Sequence, residues 1–207
     1  MKESKFTGGA FAYFGVLFVQ GFVTAITLGL AYPAMRCWGL RWIKSHTYID
    51  GEQMSFTGTG GDLFLKYIKW LLLTVITFGI YGIVLAKELQ VWETKNTHIV
   101  GSTKESKFTG TALGLFGVNI LQGLIIVFSL GFGTCFAFCY KQKWIMEHTL
   151  YDEKKTFFDG TAMELFGQLI IWSLLTFVTL GIYGFWLNVK TANWLTSHKH
   201  FGVVVPA

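Results

Sequence analysis

Charge is scarce in this chain. Lys, Arg, Asp and Glu make up 14% of its 207 residues, where soluble domains usually carry about 25%. So few charges cannot cover the surface of a water-surrounded globule of this length, because exposed apolar area costs roughly 25 cal/mol per Å². Basic runs are missing as well. No five or six consecutive basic residues occur and no known nucleic-acid motif does, so the formal charge of +5 does not point to nucleic acid. It reads instead as Lys and Arg gathered on the inner side of a membrane. The cysteines, Cys37, Cys135 and Cys139, are too few and too odd in number for a disulfide framework. Cys135 and Cys139 stand one helical turn apart in an apolar run, where free Cys acts as a small hydrophobe. The opening Met1 to Lys5 is followed by no small-residue cleavage site, which excludes a signal peptide. G-x-S-x-G, Walker, H-E-x-x-H and Cys-x-x-Cys patterns are all absent. The sequence therefore offers no enzyme, no cofactor and no metal site.

What is there is apolar and repeated. Hydrophobic residues form 52% of the chain, with 20 Phe, 8 Trp and 8 Tyr. Phe6-Thr7-Gly8, Phe56-Thr57-Gly58, Phe108-Thr109-Gly110 and Phe158-Asp159-Gly160 open four units. At fixed spacings behind them come Phe14, Phe64, Phe116 and Phe166, then Gly29, Gly79, Gly131 and Gly181, then Trp42, Trp92, Trp144 and Trp194. His46, Asn96, His148 and His198 follow in the same register. The repeats are 4–53, 54–103, 106–155 and 156–203 in a single domain, 1–207. Glu3-Ser4-Lys5-Phe6-Thr7-Gly8 returns as Glu105-Ser106-Lys107-Phe108-Thr109-Gly110, so halves 1–103 and 104–207 are a duplicated pair. Pseudo-two-fold symmetry, with an approximate four-fold beneath it, follows.

Each unit holds a long uncharged stretch: Phe6–Met35, Trp70–Ala86, Phe108–Tyr140 and Leu165–Val189. A bilayer-spanning helix needs about 20 apolar residues. The expected fold is an all-α integral membrane protein, four tandem broken helices or helical hairpins joined by short β-hairpins such as that at Asp50-Gly51. Two topologies are open. If the chain turns at Gly29, Gly79, Gly131 and Gly181 it crosses eight times, and every Lys and Arg falls on the cytoplasmic side with both termini. If each glycine lies within one helix it crosses four times. The reading leans to hairpins.

The chain resembles the YjgN-like family, also called domain of unknown function 898. The resemblance rests on Phe56-Thr57-Gly58-Thr59-Gly60-Gly61-Asp62-Leu63-Phe64, on Leu72-Leu73-Thr74-Val75-Ile76-Thr77-Phe78-Gly79-Ile80-Tyr81 and on Thr176-Phe177-Val178-Thr179-Leu180-Gly181-Ile182-Tyr183. Unit three departs at Ser129-Leu130-Gly131-Phe132-Gly133 and unit one at Leu30-Ala31-Tyr32-Pro33. The resemblance implies a bacterial inner-membrane protein and brings no activity or catalytic residue.

Arg36, Lys87, Lys141 and Lys190 come soon after the glycines and are the candidate pore or anion-binding residues. The plainer alternative is that they snorkel to headgroups. His46, His148 and His198 invite a metal, but their place at helix ends favours capping. The Thr residues beside the turns, Thr24, Thr27, Thr74, Thr77, Thr176 and Thr179, read as partners of freed backbone carbonyls. Gln20, Asn119, Gln122 and Gln168 read as interhelical hydrogen-bond partners. Trp42, Trp92, Trp144 and Trp194 read as interface anchors. Two functions compete: passage of an ion or small polar solute, anionic solutes included, through the bundle, and a non-transporting scaffold or anionic-lipid-binding protein. The expected partner is membrane lipid, anionic lipid included. Oligomeric state stays open.

Overall fold

The computed structural model describes residues 3–202. Residues 1–2 and 203–207, the outer ends of the expected halves and of the fourth repeat, lie outside the described residues, as do the termini expected to be cytoplasmic. The order strand, helix, helix, strand occurs four times. Unit one is β1 (Lys5–Phe6), α1 (Ala10–Ile26), α2 (Tyr32–Ser45) and β2 (Thr47–Ile49). Unit two is β3 (Glu52–Phe56), α3 (Gly60–Ile76), α4 (Gly82–Lys95) and β4 (Thr97–Ile99). Unit three is β5 (Lys107–Phe108), α5 (Ala112–Phe128), α6 (Thr134–Glu147) and β6 (Thr149–Tyr151). Unit four is β7 (Lys154–Phe158), α7 (Ala162–Val178), α8 (Gly184–Ser197) and β8 (Lys199–Phe201).

The expected all-α integral membrane architecture is not what forms. The strands build two antiparallel four-stranded sheets, β1-β2-β3-β4 and β5-β6-β7-β8, and none of the described helices is long and apolar enough to cross a membrane. The expected multi-pass inner-membrane location falls with the crossings, and so do the transmembrane and transporter or channel descriptions. The physical reason lies in each apolar run. It is cut after a 17-residue helix, about 25 Å at 1.5 Å per residue against a hydrocarbon core of about 30 Å. The returning helix has 14 residues and carries charge.

Each unit opens on a Phe whose ring folds back over the glycine two residues on. Phe6 meets Trp42, Phe56 meets Trp92, Phe108 meets Trp144 and Phe158 meets Trp194, edge to face with centroids 5.5–6.0 Å apart. A Cβ on Gly58 would lie 2.6 Å from the Phe56 ring and 2.9 Å from Trp92, so the motif's glycine makes room for two rings. Thr59 and Thr161 then cap α3 and α7 by accepting from the N–H groups of Asp62 and Glu164. In the same two units the Trp92 and Trp194 indoles donate to those carboxylates at 2.7 and 3.0 Å.

The units close into a ring. α2 packs on α3, α4 on α5, α6 on α7, and α8 returns to α1. At the closure Phe14 meets Phe185 at 4.7 Å, and the Phe6 N–H donates to Asn193 Oδ1 at 3.0 Å. Beneath the ring the two sheets are tied by a pair of reciprocal clasps. Asp50, in the turn between β2 and β3, accepts from the Phe201 N–H at 2.8 Å and lies 2.8 Å from His200 Nδ1. Asp152, at the equivalent turn, accepts from the Ile99 N–H and lies 2.9 Å from His98 Nδ1. Ser4 and Ser106 brace the two aspartates and donate onward to the carbonyls of Lys199 and Thr97. On the pseudo-two-fold Ile49, Met54 and Tyr151 form a shared core, and Lys154 Nζ lies 2.6 Å from Glu52 Oε1.

Two outcomes test this account. Gly58→Ala should destabilise the full chain by about 1–3 kcal/mol through overpacking. Gly61→Ala, with nothing near its Cβ position, should be neutral or stabilise by up to about 1 kcal/mol; denaturant midpoints read both. Asp152→Ala should cost about 2–4 kcal/mol by leaving a buried N–H and an imidazole unpaired. A double-mutant cycle with His98→Ala should be strongly non-additive.

Candidate functional site

The most unusual backbone lies at the four hairpin turns. Thr27, Thr77, Ser129 and Thr179 end the first helix of each unit, and the next two residues are left-handed. Leu28, Phe78, Leu130 and Leu180 have φ of 49 to 51° and the following glycines φ of 88 to 91°. The Gly29 N–H reaches back to Thr24 O at 2.8 Å and the Leu28 N–H to Ala25 O at 3.1 Å. This is the Schellman pattern, whose first left-handed residue is usually glycine or asparagine. Here it is Leu or Phe, which costs roughly 1–2 kcal/mol per residue. The Thr or Ser hydroxyl then starts the return, accepting from the N–H of Ala31, Tyr81, Gly133 or Tyr183.

That cost gains nothing inside the molecule. Leu28 is 92% exposed, Phe78 97%, Leu130 88% and Leu180 94%. Around them Ile26, Leu30, Ile76, Ile80, Phe128, Phe132, Phe177 and Ile182 are exposed too. The exposed Leu and Phe residues of the tips go unmarked in the sequence patterns, where only the glycines and neighbouring threonines stand out. The available signal was the residue between Thr or Ser and Gly, large and apolar in all four units.

The structure puts the glycines Gly29, Gly79, Gly131 and Gly181 in these turns. Trp42, Trp92, Trp144 and Trp194 sit at the other end, against the opening Phe rings, with Trp92 and Trp194 buried. The helix-end residues bond back one turn: His46, His148 and His198 through Nδ1 and Asn96 through its amide, at 2.7–2.8 Å from the Trp carbonyls. No group of three metal-ligating side chains occurs among the described residues. The four basic candidates do not converge. Arg36 pairs with Glu93 at 3.2 Å, Lys87 and Lys141 are half-buried on α4 and α6, and Lys190 is exposed on α8. None of them lines the central cavity.

That cavity, about 510 Å³, lies where α1, α2, α6, α7 and α8 meet the strands, and two other lysines face it, Lys44 and Lys199. Lys44 Nζ is 3.6 Å from Glu93 Oε1 and 5.7 Å from the Tyr151 ring centre. Burial alone lowers the Lys44 pKa, but Tyr151 and Glu93 outweigh it and leave the group above its ordinary value. Lys199 has no side-chain partner among the described residues. Burial, then the neighbouring Lys44 charge, brings its pKa down to about 8, with Glu93 opposing.

Residues 153–202 match the family described as "Bacterial protein of unknown function (DUF898)". The match covers the fourth unit and agrees with the resemblance carried by the repeated motifs. No curated protein and no solved structure matches the chain.

The depressed Lys199 pKa sets a sign. Between pH 8 and the ordinary lysine value the unfolded chain holds more protons than the folded one, so stability rises with pH across that window. From pH 7 to pH 10 the wild type should gain about 2 kcal/mol relative to Lys199→Met, read from denaturant unfolding of both.

Proposed function

We propose that the chain is a lipid-binding protein whose four hairpin tips enter one leaflet of a bilayer while the strands stay at its surface. The observation that carries this reading is the set of four strained, fully exposed Leu and Phe residues at the tips. A large apolar side chain held in a costly conformation against water calls for a compensating environment. A protein partner would cover one flank of the ring. Exposed apolar residues instead lie on all four units, as a lipid phase surrounding the tips requires.

Charge limits the depth. On the returning helices Arg36, Lys87, Lys141 and Lys190 come four, five, seven and six residues after the first helical residue. At 1.5 Å per residue that is about 6–10 Å of uncharged helix. Interfacial helices bury their apolar faces about 5–10 Å. The basic residues then stand where anionic headgroups attract them. Solute passage requires helices that cross, and binding to one leaflet does not.

The tips provide a test in which two measurements move in opposite directions. Asn tolerates the left-handed region, so Leu28→Asn, Phe78→Asn, Leu130→Asn and Leu180→Asn should each leave stability unchanged or raise it by up to about 1 kcal/mol. Each should also weaken binding to vesicles, since an apolar side chain leaving lipid loses about 1.5–3 kcal/mol, roughly a tenfold to hundredfold change in affinity. Co-sedimentation of the quadruple variant with phosphatidylserine-containing vesicles gives the decisive reading. Undiminished binding would sink the proposal.

A further inference from the structure

The cavity lysines break the repeat. Lys44 stands where the other units have Thr94, Met146 and Thr196, and Lys199 where they have Thr47, Thr97 and Thr149. At the second position the threonines already have a structural task. Their hydroxyls donate to the carbonyls of Ile43, Glu93 and Ile145 at 2.7–2.8 Å, closing the step from helix to strand. Unit four gives up that bond to place an ammonium in the same cavity that Lys44 faces. Neither lysine is needed to form its unit, because other units form without one.

The charges there do not balance. Arg36 and Lys44 both engage Glu93, and Lys199 adds a further positive charge with no carboxylate of its own among the described residues. Two cationic groups, Lys44 and Lys199, face the cavity and no carboxylate lines it, while Glu93, outside the lining, is shared by Lys44 and the half-exposed Arg36. The other titratable groups on the cavity wall are the phenols of Tyr13 and Tyr151. Asn188, Thr191 and Thr196 add an amide and two hydroxyls to the wall, while Phe138 and Leu169 close an apolar side. Enclosing like charges in low dielectric is costly without a counter-charge. The cavity's volume falls within the range of small-ligand sites, about 300–1,000 Å³.

We infer that the cavity is a binding site for a dianionic oxyanion of the phosphate class, held between Lys44 and Lys199. Free phosphate and the phosphate of a lipid headgroup share this chemistry. The inference stands apart from the tip insertion proposed above, because it rests on different residues at the other end of the hairpins.

Titration calorimetry of the detergent-solubilised full chain with inorganic phosphate, and separately with short-chain phosphatidic acid, tests it. The wild type should bind one equivalent, and Lys199→Met should weaken that binding at least tenfold. Lys44→Met should do the same, but it strips a partner from Glu93, so Lys199→Met is the deciding variant. Lys104→Met and Lys107→Met, exposed and outside the cavity lining, should bind as the wild type does. Binding of both probes assigns free phosphate, and binding of phosphatidic acid alone assigns a lipid headgroup; either outcome supports the site provided Lys199→Met abolishes it. Equal affinity in Lys199→Met, or no binding of either probe by the wild type, overturns it. The quadruple tip variant should keep its phosphate affinity, so failure of the lipid reading and failure of this one are separable.

Discussion

The two aspartate clasps are the constraint on which the rest of the ring depends. Each carboxylate gathers a backbone N–H and an imidazole from one strand and a serine hydroxyl from a second segment, both distant from it in sequence. Asp50 belongs to the first half and grips β8 of the second, while Asp152 belongs to the second half and grips β4 of the first. The halves therefore hold each other by one interaction used twice. Strands of two to five residues make weak sheets alone, and a buried acceptor with several donors fixes them in one register.

With the strands fixed, the hairpins divide into two ends with different physics. The strand end is polar, hydrogen-bonded and crowded with rings, and there a glycine is required because Phe and Trp occupy the space of its side chain. The turn end has no tertiary support. Its Schellman bonds and hydroxyl caps are local to each hairpin, and its side chains point away from the fold. One end holds the assembly together, and the other is free to meet whatever surrounds it.

Much of this was legible in the residues, and what was not shares a cause. The four units, the turn glycines and the helix-end histidines follow from local patterns: spacing, positive-φ preference and capping. The two sheets did not follow, since Lys5 pairs with Tyr48 and Met54 with Ile99 across whole helical hairpins, and short strands leave no periodicity of their own. The membrane-crossing expectation failed on length. Composition alone cannot say that an uncharged run of 33 residues (Phe108–Tyr140) folds as a 17-residue helix, a strained turn and a return. The basic residues chosen for their depth proved scattered, because offsets along a helix do not say which face meets the axis. Lys44 and Lys199 carry no repeat signal, because the other units do not share them.

Repetition gives a way to separate fold from function here. A position kept in all four units that relieves a steric or packing demand, as Gly58 and Trp92 do, is explained by the hairpin itself. Two kinds of position resist that explanation. Lys44 and Lys199 depart from the pattern and bring charge into a partly open cavity, so their reason must lie in something the other units do not meet. Leu28, Phe78, Leu130 and Leu180 keep the pattern at a backbone conformation that favours glycine, with side chains that touch almost nothing. In the proposed lipid-binding reading, four turns bearing the same local cost share a surrounding that offsets it, and for bare Leu and Phe side chains that surrounding is apolar. The strand end, where the charge and hydrogen bonds are, has no such need, which is why the molecule has a direction.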